Sequence, residues 1–243
     1  MKIFYFIFIL CISFPGITKA QSINGLGLGS GYSILPSVIY VSSATIQMNA
    51  YSKNLYERGE TEELDGGYGY GLSIRKKIFN ENISIGFTTE YLKIYDDELT
   101  EIFSTETSRI RARVTEELWM MPVELSGYFS IPKFSEDFDI YLGGGVGLYF
   151  GDRQRTVLNI TSKTISKEPN FSFVILSGME LFFTKQFSGV FEMRFRQGEY
   201  TVKSVFPVSS ITANGNTYPL EQNLNSKIFV DGLKLSLGLA YNF

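Results

Sequence analysis

The chain contains no histidine, and its single cysteine, Cys11, lies close to the N-terminus. Imidazole is therefore missing both as a catalytic base and as a metal ligand, and no disulfide can form within the chain. Lysine and arginine number 22 against 25 acidic residues, so there is no basic excess of the kind that binds nucleic acid. These absences leave a protein whose stability must come from buried area, and we expect it to have no cofactor.

Long hydrophobic runs are also missing, except at the start. Residues 1–20 place Lys2 before an apolar run, Ile3 to Phe14, and end on Ala20. This pattern predicts a secretory signal peptide, residues 1–20, followed by one domain, residues 21–243. A membrane anchor would need a longer run, and a lipoprotein signal at Cys11 would need a smaller residue than Leu10 before it. Any membrane insertion of the exported chain must then use strands.

The mature chain instead shows apolar residues at every second position. The last segment, LKLSLGLAYNF, puts its odd-numbered residues, all large and apolar, on one face, and Lys234, Ser236 and Gly238 on the other. Such alternation predicts a strand with two different faces. It recurs often enough to predict eight strands, namely LGLGSGYSI, YGYGLSIRK, ISIGFTTEY, LWMMPVELSGYF, IYLGGGVGLYF, FSFVILSGMELFF, GVFEMRFRQ and the terminal segment.

Short and long connections alternate between these segments. Short links fall near residues 80–82, 133–139 and 185–188, and long ones at about 36–66, 96–116, 152–170 and 203–226. An even number of strands with short turns at one end and long loops at the other is typical of an outer-membrane barrel. We therefore predict an all-β fold, an eight-stranded antiparallel up-and-down transmembrane β-barrel. The first strand is the least certain, because residues 36–56 also contain strand-like stretches such as SVIYV.

Alternation does not say which face points inward, but volume does. The interior of an eight-stranded barrel is just wide enough for side chains, and the large apolar faces would overfill it. The opposite faces are rich in Gly and Ser, so they fit the interior, and the apolar faces then need lipid. Charges on the interior face balance and predict an ion-paired plug, because buried charges must be paired. These residues are Arg75, Glu90, Glu124, Glu180, Glu192, Arg194, Arg196 and Lys234.

Aromatic residues at the strand ends predict a girdle, with Phe129, Phe183, Tyr241 and Phe243 at the periplasmic rim and Trp119 and Phe150 at the outer rim.

The signal peptide, MPVELSGYF followed by IYLGGGVGLYF, and the closing AYNF resemble the small outer-membrane β-barrel proteins of Gram-negative bacteria, of the OmpA, OmpX and OmpW type. The resemblance implies that the last strand, with Gly238, Tyr241 and Phe243, is the signal read by the barrel-assembly machinery. It also implies periplasmic chaperones during insertion and location in the cell outer membrane.

The function expected from these features is that of a non-enzymatic barrel that is structural or binds an unknown extracellular ligand through its long loops. A small porin-like barrel or one for hydrophobic solutes is a first alternative, and a soluble periplasmic lipocalin-like binder is a second. The barrel enzymes that this size class resembles use a catalytic histidine, which this chain lacks. Outer-membrane lipid and lipopolysaccharide are the expected partners, with no nucleic acid.

Three arginines carry a separate hypothesis. Arg109, Arg111 and Arg113 share a strand face, which in unbroken register is the face of Trp119. They would then point outward above the apolar band, where lipopolysaccharide phosphates lie and guanidinium groups bind them well. Alternatively, a loop or bulge near Glu116 turns them toward a nearby acidic stretch that includes Asp97, since exposed charges are usually solvated or locally paired.

Overall fold

The computed structural model describes residues 31–79, 82–132, 138–230 and 232–243. The predicted signal peptide and most of LGLGSGYSI lie outside these residues. The helix α1 spans Leu55–Gly59, and in the described residues no helix is long and apolar enough to cross a membrane. The strands are β1 Tyr32–Gln47, β2 Thr61–Phe79, β3 Ile83–Asp96, β4 Thr100–Ser104, β5 Arg109–Ser130, β6 Phe138–Val157, β7 Ile160–Thr161, β8 Lys163–Glu168, β9 Asn170–Phe182, β10 Phe187–Arg196, β11 Gly198–Val205, β12 Ser210–Ala213, β13 Asn216–Pro219, β14 Asn223–Val230 and β15 Leu233–Asn242.

Eight of these strands close into a ring. The order is β1, β2, β3, β5, β6, β9, β10 and β15, every neighbouring pair is antiparallel, and β15 pairs back onto β1. The last residue completes the closure, because the Phe243 amide donates to the Tyr32 carbonyl at 2.9 Å and the Gly31 amide donates to the Phe243 carbonyl at 2.9 Å. The predicted eight-stranded antiparallel barrel is therefore confirmed.

The two faces of each strand point in the directions predicted from the limited volume of the barrel interior. On β15, Leu237 and Leu239 are 60% and 63% exposed, whereas Lys234 is 1% exposed. The large apolar side chains point away from the ring, and the small and charged ones point into it. The alternative of a lipocalin-like barrel, with its apolar faces around an internal pocket, is therefore wrong.

The first strand extends further along the chain than the sequence indicated. Residues 36–47, assigned above to a long loop, belong to β1, where Ile39 and Val41 are buried while Val38 and Tyr40 face outward. Because both faces are apolar here, the segment has no visible alternation. Only residues 48–60 remain as a connection, and within it the Asn54 side chain caps α1 by accepting from the Tyr56 amide at 3.1 Å.

The long connections are mostly built of strand, so the wall continues beyond the ring. We call the end with the short turns and Phe243 the turn end, and the opposite end the loop end. At the loop end the wall divides into two sheets, β4–β5–β6–β7 and β2–β1–β14–β11–β8. Two seams separate them, one between β2 and β4 and one between β6 and β8. The hairpin β12–β13 lies at the same end.

An apolar cluster closes the loop end between the two sheets. Phe103 of β4, Val114 of β5 and Val157 of β6 pack with side chains from the last long connection. The hairpin contributes Ile211 and Tyr218, which are almost fully buried. The other buried members are Ala112, Phe206, Leu220 and Leu224. This cluster occupies the interior that an open channel would need.

Candidate functional site: a charged lumen

Glycine on the inward face of β6 leaves room for the charged side chains of the lumen. A Cβ added to Gly145 would lie 2.2 Å from the Leu125 carbonyl oxygen, and one added to Gly143 would lie 2.4 Å from the Gly127 carbonyl oxygen. Neighbouring strands therefore approach more closely than any side chain at these positions would allow. The GGGVG stretch is a packing feature of a narrow barrel.

The structure brings seven of the eight predicted lumen charges into one cluster, which we call the lower network. Arg194 donates to Glu124 at 2.5 Å and also to Glu192. Arg196 donates to the Glu90 carboxylate at 2.9 Å, and Lys234 also binds Glu90. Arg75 binds Glu192 from the side of the turn end. Side chains of the seven residues are at most 9% exposed, so each charge depends on its protein partners rather than on bulk water.

Tyrosines add hydrogen bonds to this network. The Tyr141 hydroxyl donates to Glu192 and the Tyr149 hydroxyl donates to Glu124, both at 2.8 Å. The Arg75 guanidinium lies 4.4 Å from the Tyr128 ring centroid, a cation–π distance. Sequence reasoning missed these tyrosines, although each lies at an inward position of a predicted strand.

Glu180, the eighth predicted residue, lies apart at the turn end. Its carboxylate accepts from Ser188 and, at 3.5 Å, from the Asn242 amide. It forms no ion pair with any residue that the structure describes. Glu180 lines a cavity of about 580 Å³ at the mouth of the lumen, together with Asp139. Partial burial raises the pKa of the Asp139 carboxyl above its ordinary value; Lys77 lowers that pKa and Glu180 raises it further.

A second buried cluster, the upper network, lies nearer the loop end and was not predicted. Arg153 of β6 donates to Glu116 of β5 at 2.6 Å, and Arg155 donates to Glu62 at 2.7 Å and to Glu101 at 2.8 Å. Burial opposes the charge of Arg155, but the carboxylates outweigh it and raise the pKa of the guanidinium. The period-two placement of Arg153 and Arg155 in DRQRT was the available signal, but it fell in a segment assigned to a loop.

An apolar layer separates the two networks. Leu92 and Leu118 pack there with Tyr149 and Tyr200, all of them at most 2% exposed. A path along the lumen would therefore meet charge, then an apolar layer, then charge again, and finally the apolar cluster at the loop end. In the described residues no group of three or more carboxylate or cysteine side chains is arranged to hold a metal ion.

The outer surface carries an apolar band with aromatic residues at its rims. On β5 the band runs from Trp119 to Phe129, which is about 33 Å along the strand and about 25 Å in height at an ordinary tilt. Phe150 pairs with Met121 beside Trp119. At the other rim Tyr241 lies 5.2 Å from Phe187 and 5.6 Å from Phe243, measured between ring centroids. The aromatic positions match the predicted girdle.

The residues of the proposed assembly signal lie on the closing strand. Tyr241 and Phe243 are half-buried at the turn-end rim, and Phe243 also stacks on Tyr32 at 6.2 Å. Gly238 lies on the opposite, inward face, where a Cβ would come within 2.6 Å of the Pro36 carbonyl oxygen. The three residues thus help to seal β15 against β1.

The three arginines point outward. β5 runs unbroken from Arg109, so no bulge near Glu116 turns them, and all three are exposed. Arg113 nevertheless pairs locally, since its Nε donates to the Asp97 carbonyl at 2.6 Å and its Nη2 lies 3.0 Å from the Asp97 carboxylate. Arg113 and Arg109 stand about 20 Å and about 33 Å along the strand beyond Trp119. They are well above the apolar band rather than at its rim.

Comparison with known proteins gives a match at the level of fold only. No family model and no curated protein sequence matches the chain. Among solved structures, the outer membrane protein OprG from Pseudomonas aeruginosa matches with a TM-score of 0.56 at 10% identity, covering 88% of this chain and 96% of that one. Neisserial surface protein A matches with a TM-score of 0.48 at 12% identity, covering 88% of this chain and 98% of that one.

The OprG match and the closed eight-stranded antiparallel ring agree in fold. This is the fold of the small Gram-negative outer-membrane β-barrels. The barrel of this chain differs from an open channel by its two buried charge networks and the apolar layers around them.

Proposed function

We propose that the chain is a non-enzymatic integral protein of the outer membrane whose lumen is plugged, and which acts through its outer surface and its loop end. The observation that carries the proposal is the lower network, in which Arg194 and Arg196 share Glu124 with almost no exposure. Buried charges with so many partners hold the interior together and leave no path for a solute. The outward apolar band supports residence in a bilayer.

Chemistry in the lumen has little support. The sequence has no histidine, so neither a Ser–His pair nor an imidazole-bound metal is available. The buried glutamates could in principle act as acid and base, but each already binds an arginine or a lysine. A carboxylate held in this way is occupied by its partner and is not open to a substrate.

The expected partners follow from where the side chains lie. Outer-membrane lipid covers the apolar band, and Lys93 and Lys167 lie at its rim beside Trp119, at the height of lipopolysaccharide phosphates. Lys167 lies 4.7 Å from the centroid of the Trp119 ring. The three outward arginines are placed to meet lipopolysaccharide sugars or a protein partner further out. The barrel-assembly machinery and periplasmic chaperones would handle the chain during insertion, with the end of β15 as the signal.

Conductance across a planar lipid bilayer tests the plug. The purified barrel should show no steady channel, and a variant with Glu124 and Glu192 both replaced by Ala and Arg194 replaced by Ser should still show none, because the upper network and the two apolar layers remain in place. Discrete openings of the unaltered protein would contradict the proposal. Loss of the folded band on a gel would show that the variant had failed to fold, so both results are read together.

Transport through the wall is the second candidate, and the seam between β6 and β8 favours it. A cleft of about 360 Å³ lies there, lined by Trp119, Asp152, Arg153 and Thr164 among others. Tyr149 of β6 and Asn170 of β9 form the last pair below the seam. Above that pair, β6 and β8 are joined mainly through side chains, such as Thr164 with Asp152 at 2.5 Å. Uptake of a small apolar fluorophore into proteoliposomes, abolished by a disulfide engineered between positions 154 and 163, would support this candidate over the plugged barrel.

A further inference from the structure

Among the described residues, the seam between β2 and β4 leaves one edge of each strand without a hydrogen-bonded strand partner. In the described part of the chain, β4 pairs only with β5, and β2 beyond Tyr68 pairs only with β1. The seam between β2 and β4 is bridged from inside by Arg155, which binds Glu62 on one side and Glu101 on the other. A free edge of this kind is a template for strand addition.

The direction of the backbone groups shows which residues form the open edge. The Thr105 amide donates to the Ser108 carbonyl at 2.8 Å, and the Val114 amide donates to the Leu99 carbonyl at 2.9 Å. Along an antiparallel strand the N–H and C=O of successive residues point alternately to the two sides. The odd-numbered residues therefore pair with β5, and the N–H and C=O groups of Thr100, Ile102 and Ser104 point to the open edge.

The side chains around this edge indicate the chemistry of a partner. Arg109, Arg111 and Arg113 on β5 face Ser104, Ile102 and Thr100, in that order. Ile102 is 53% exposed and offers an apolar contact. Arg113 is paired with Asp97, whereas Arg109 and Arg111 form no ion pair with any described residue. Ser104 is short, so the Arg109 guanidinium can extend over it toward a strand added beyond β4.

We propose that the open edge of β4 binds an extended, acidic peptide segment of a partner protein by strand addition. The inference rests on the proposed function, since it requires the loop end to face the outside. A second copy of this chain is a poor occupant, because β4 edges paired across a two-fold axis would bring two rows of arginine together. A phosphorylated sugar would use the arginines but not the row of backbone groups.

Fluorescence anisotropy with three labelled peptides tests the proposal on the full chain in detergent micelles. The probes are an alternating Val–Glu octapeptide, the same peptide N-methylated at alternate residues, and an alternating Val–Lys octapeptide. N-methylation keeps the charge but removes hydrogen bonds to the edge. We expect the plain Val–Glu peptide to bind at least about tenfold more tightly than either control. Equal binding of the methylated peptide, or no binding of any peptide, would overturn the proposal.

Variants locate the site. Ile102→Pro removes the N–H at the open edge and leaves the bonds between β4 and β5 in place, because that N–H does not point to β5. We expect Ile102→Pro to weaken Val–Glu binding by about tenfold or more, and the matched variant Ile102→Thr to bind almost normally. Unchanged binding by Ile102→Pro would refute the edge. A heat-dependent gel shift in the same samples shows that the barrel is folded, so failure of this proposal is distinguishable from failure of the proposed function.

Discussion

Replacing Arg194 with Met removes the central cation of the lower network without changing the size of the side chain greatly. Arg194 binds Glu124 and Glu192 and also donates to the Tyr128 hydroxyl at 3.2 Å. Each glutamate keeps other partners. Glu124 retains the Tyr149 hydroxyl and, at 3.5 Å, Arg196. The substitution therefore leaves two buried carboxylates that are underpaired rather than isolated.

The expected loss follows from that partial pairing. Breaking a buried pair by removing one partner costs about 3 to 5 kcal/mol, and the partners that remain place Arg194→Met at the lower end of this range. Charge reversal, Arg194→Glu, adds a third carboxylate and belongs at the upper end. Adding Glu124→Gln to Arg194→Met removes one of the underpaired charges and should recover about 1 kcal/mol. At the surface, Lys93→Met breaks a pair whose side chains are 48% and 36% exposed, and should cost less than about 1 kcal/mol.

Urea unfolding of the barrel in lipid vesicles measures these differences. Trp119 is the only tryptophan and lies at the rim of the apolar band, so its fluorescence reports loss of the folded, inserted state. The midpoint should fall for Arg194→Met and stay almost unchanged for Lys93→Met. If both variants lost less than about 1 kcal/mol, the lumen would be wet and the charges screened, and the argument from burial would be refuted.

Three further predictions concern other parts of the barrel. Phe243→Ser should lower the yield of inserted barrel while export into the periplasm continues, and an unchanged yield on fractionation would remove the assembly role. Gly145→Val should destabilise the barrel by about 1 to 3 kcal/mol in urea because its Cβ meets backbone, whereas a Cβ at the outward Gly127 has no neighbour nearer than 4.0 Å and Gly127→Val should cost much less. The raised pKa of Asp139 means that the folded state binds its proton more tightly, so stability should fall as pH rises from the ordinary aspartate range through the raised pKa, and Asp139→Asn should remove that slope in pH-dependent unfolding.

The sequence predicted the barrel because its faces differ so strongly in volume. On β15 every second residue is large and apolar, and on β6 the opposite face is Gly143, Gly145 and Gly147. The lumen charges were recognisable because they share a face with small residues. Which arginine meets which glutamate depends on register between strands that are far apart in sequence, as for Arg196 and Glu90. A single sequence holds no record of that register.

The upper part of the wall was harder to predict. In DRQRT the residues on both faces are polar, so Arg153 and Arg155 show no apolar alternation and resemble a loop. They are buried because β12–β13 and the apolar cluster cover that end, which is a tertiary effect. The extent of β1 was not predicted for the opposite reason, since Val38, Ile39, Tyr40 and Val41 make both faces apolar.

Fractionation of cells, followed by gel electrophoresis of the detergent-extracted protein with and without boiling, tests the central claim most directly. A plugged barrel with an outward apolar band should be found in the outer-membrane fraction, and its unboiled form should migrate differently from the boiled form because the closed ring resists SDS. Recovery as a soluble protein whose mobility does not depend on heating would contradict the account.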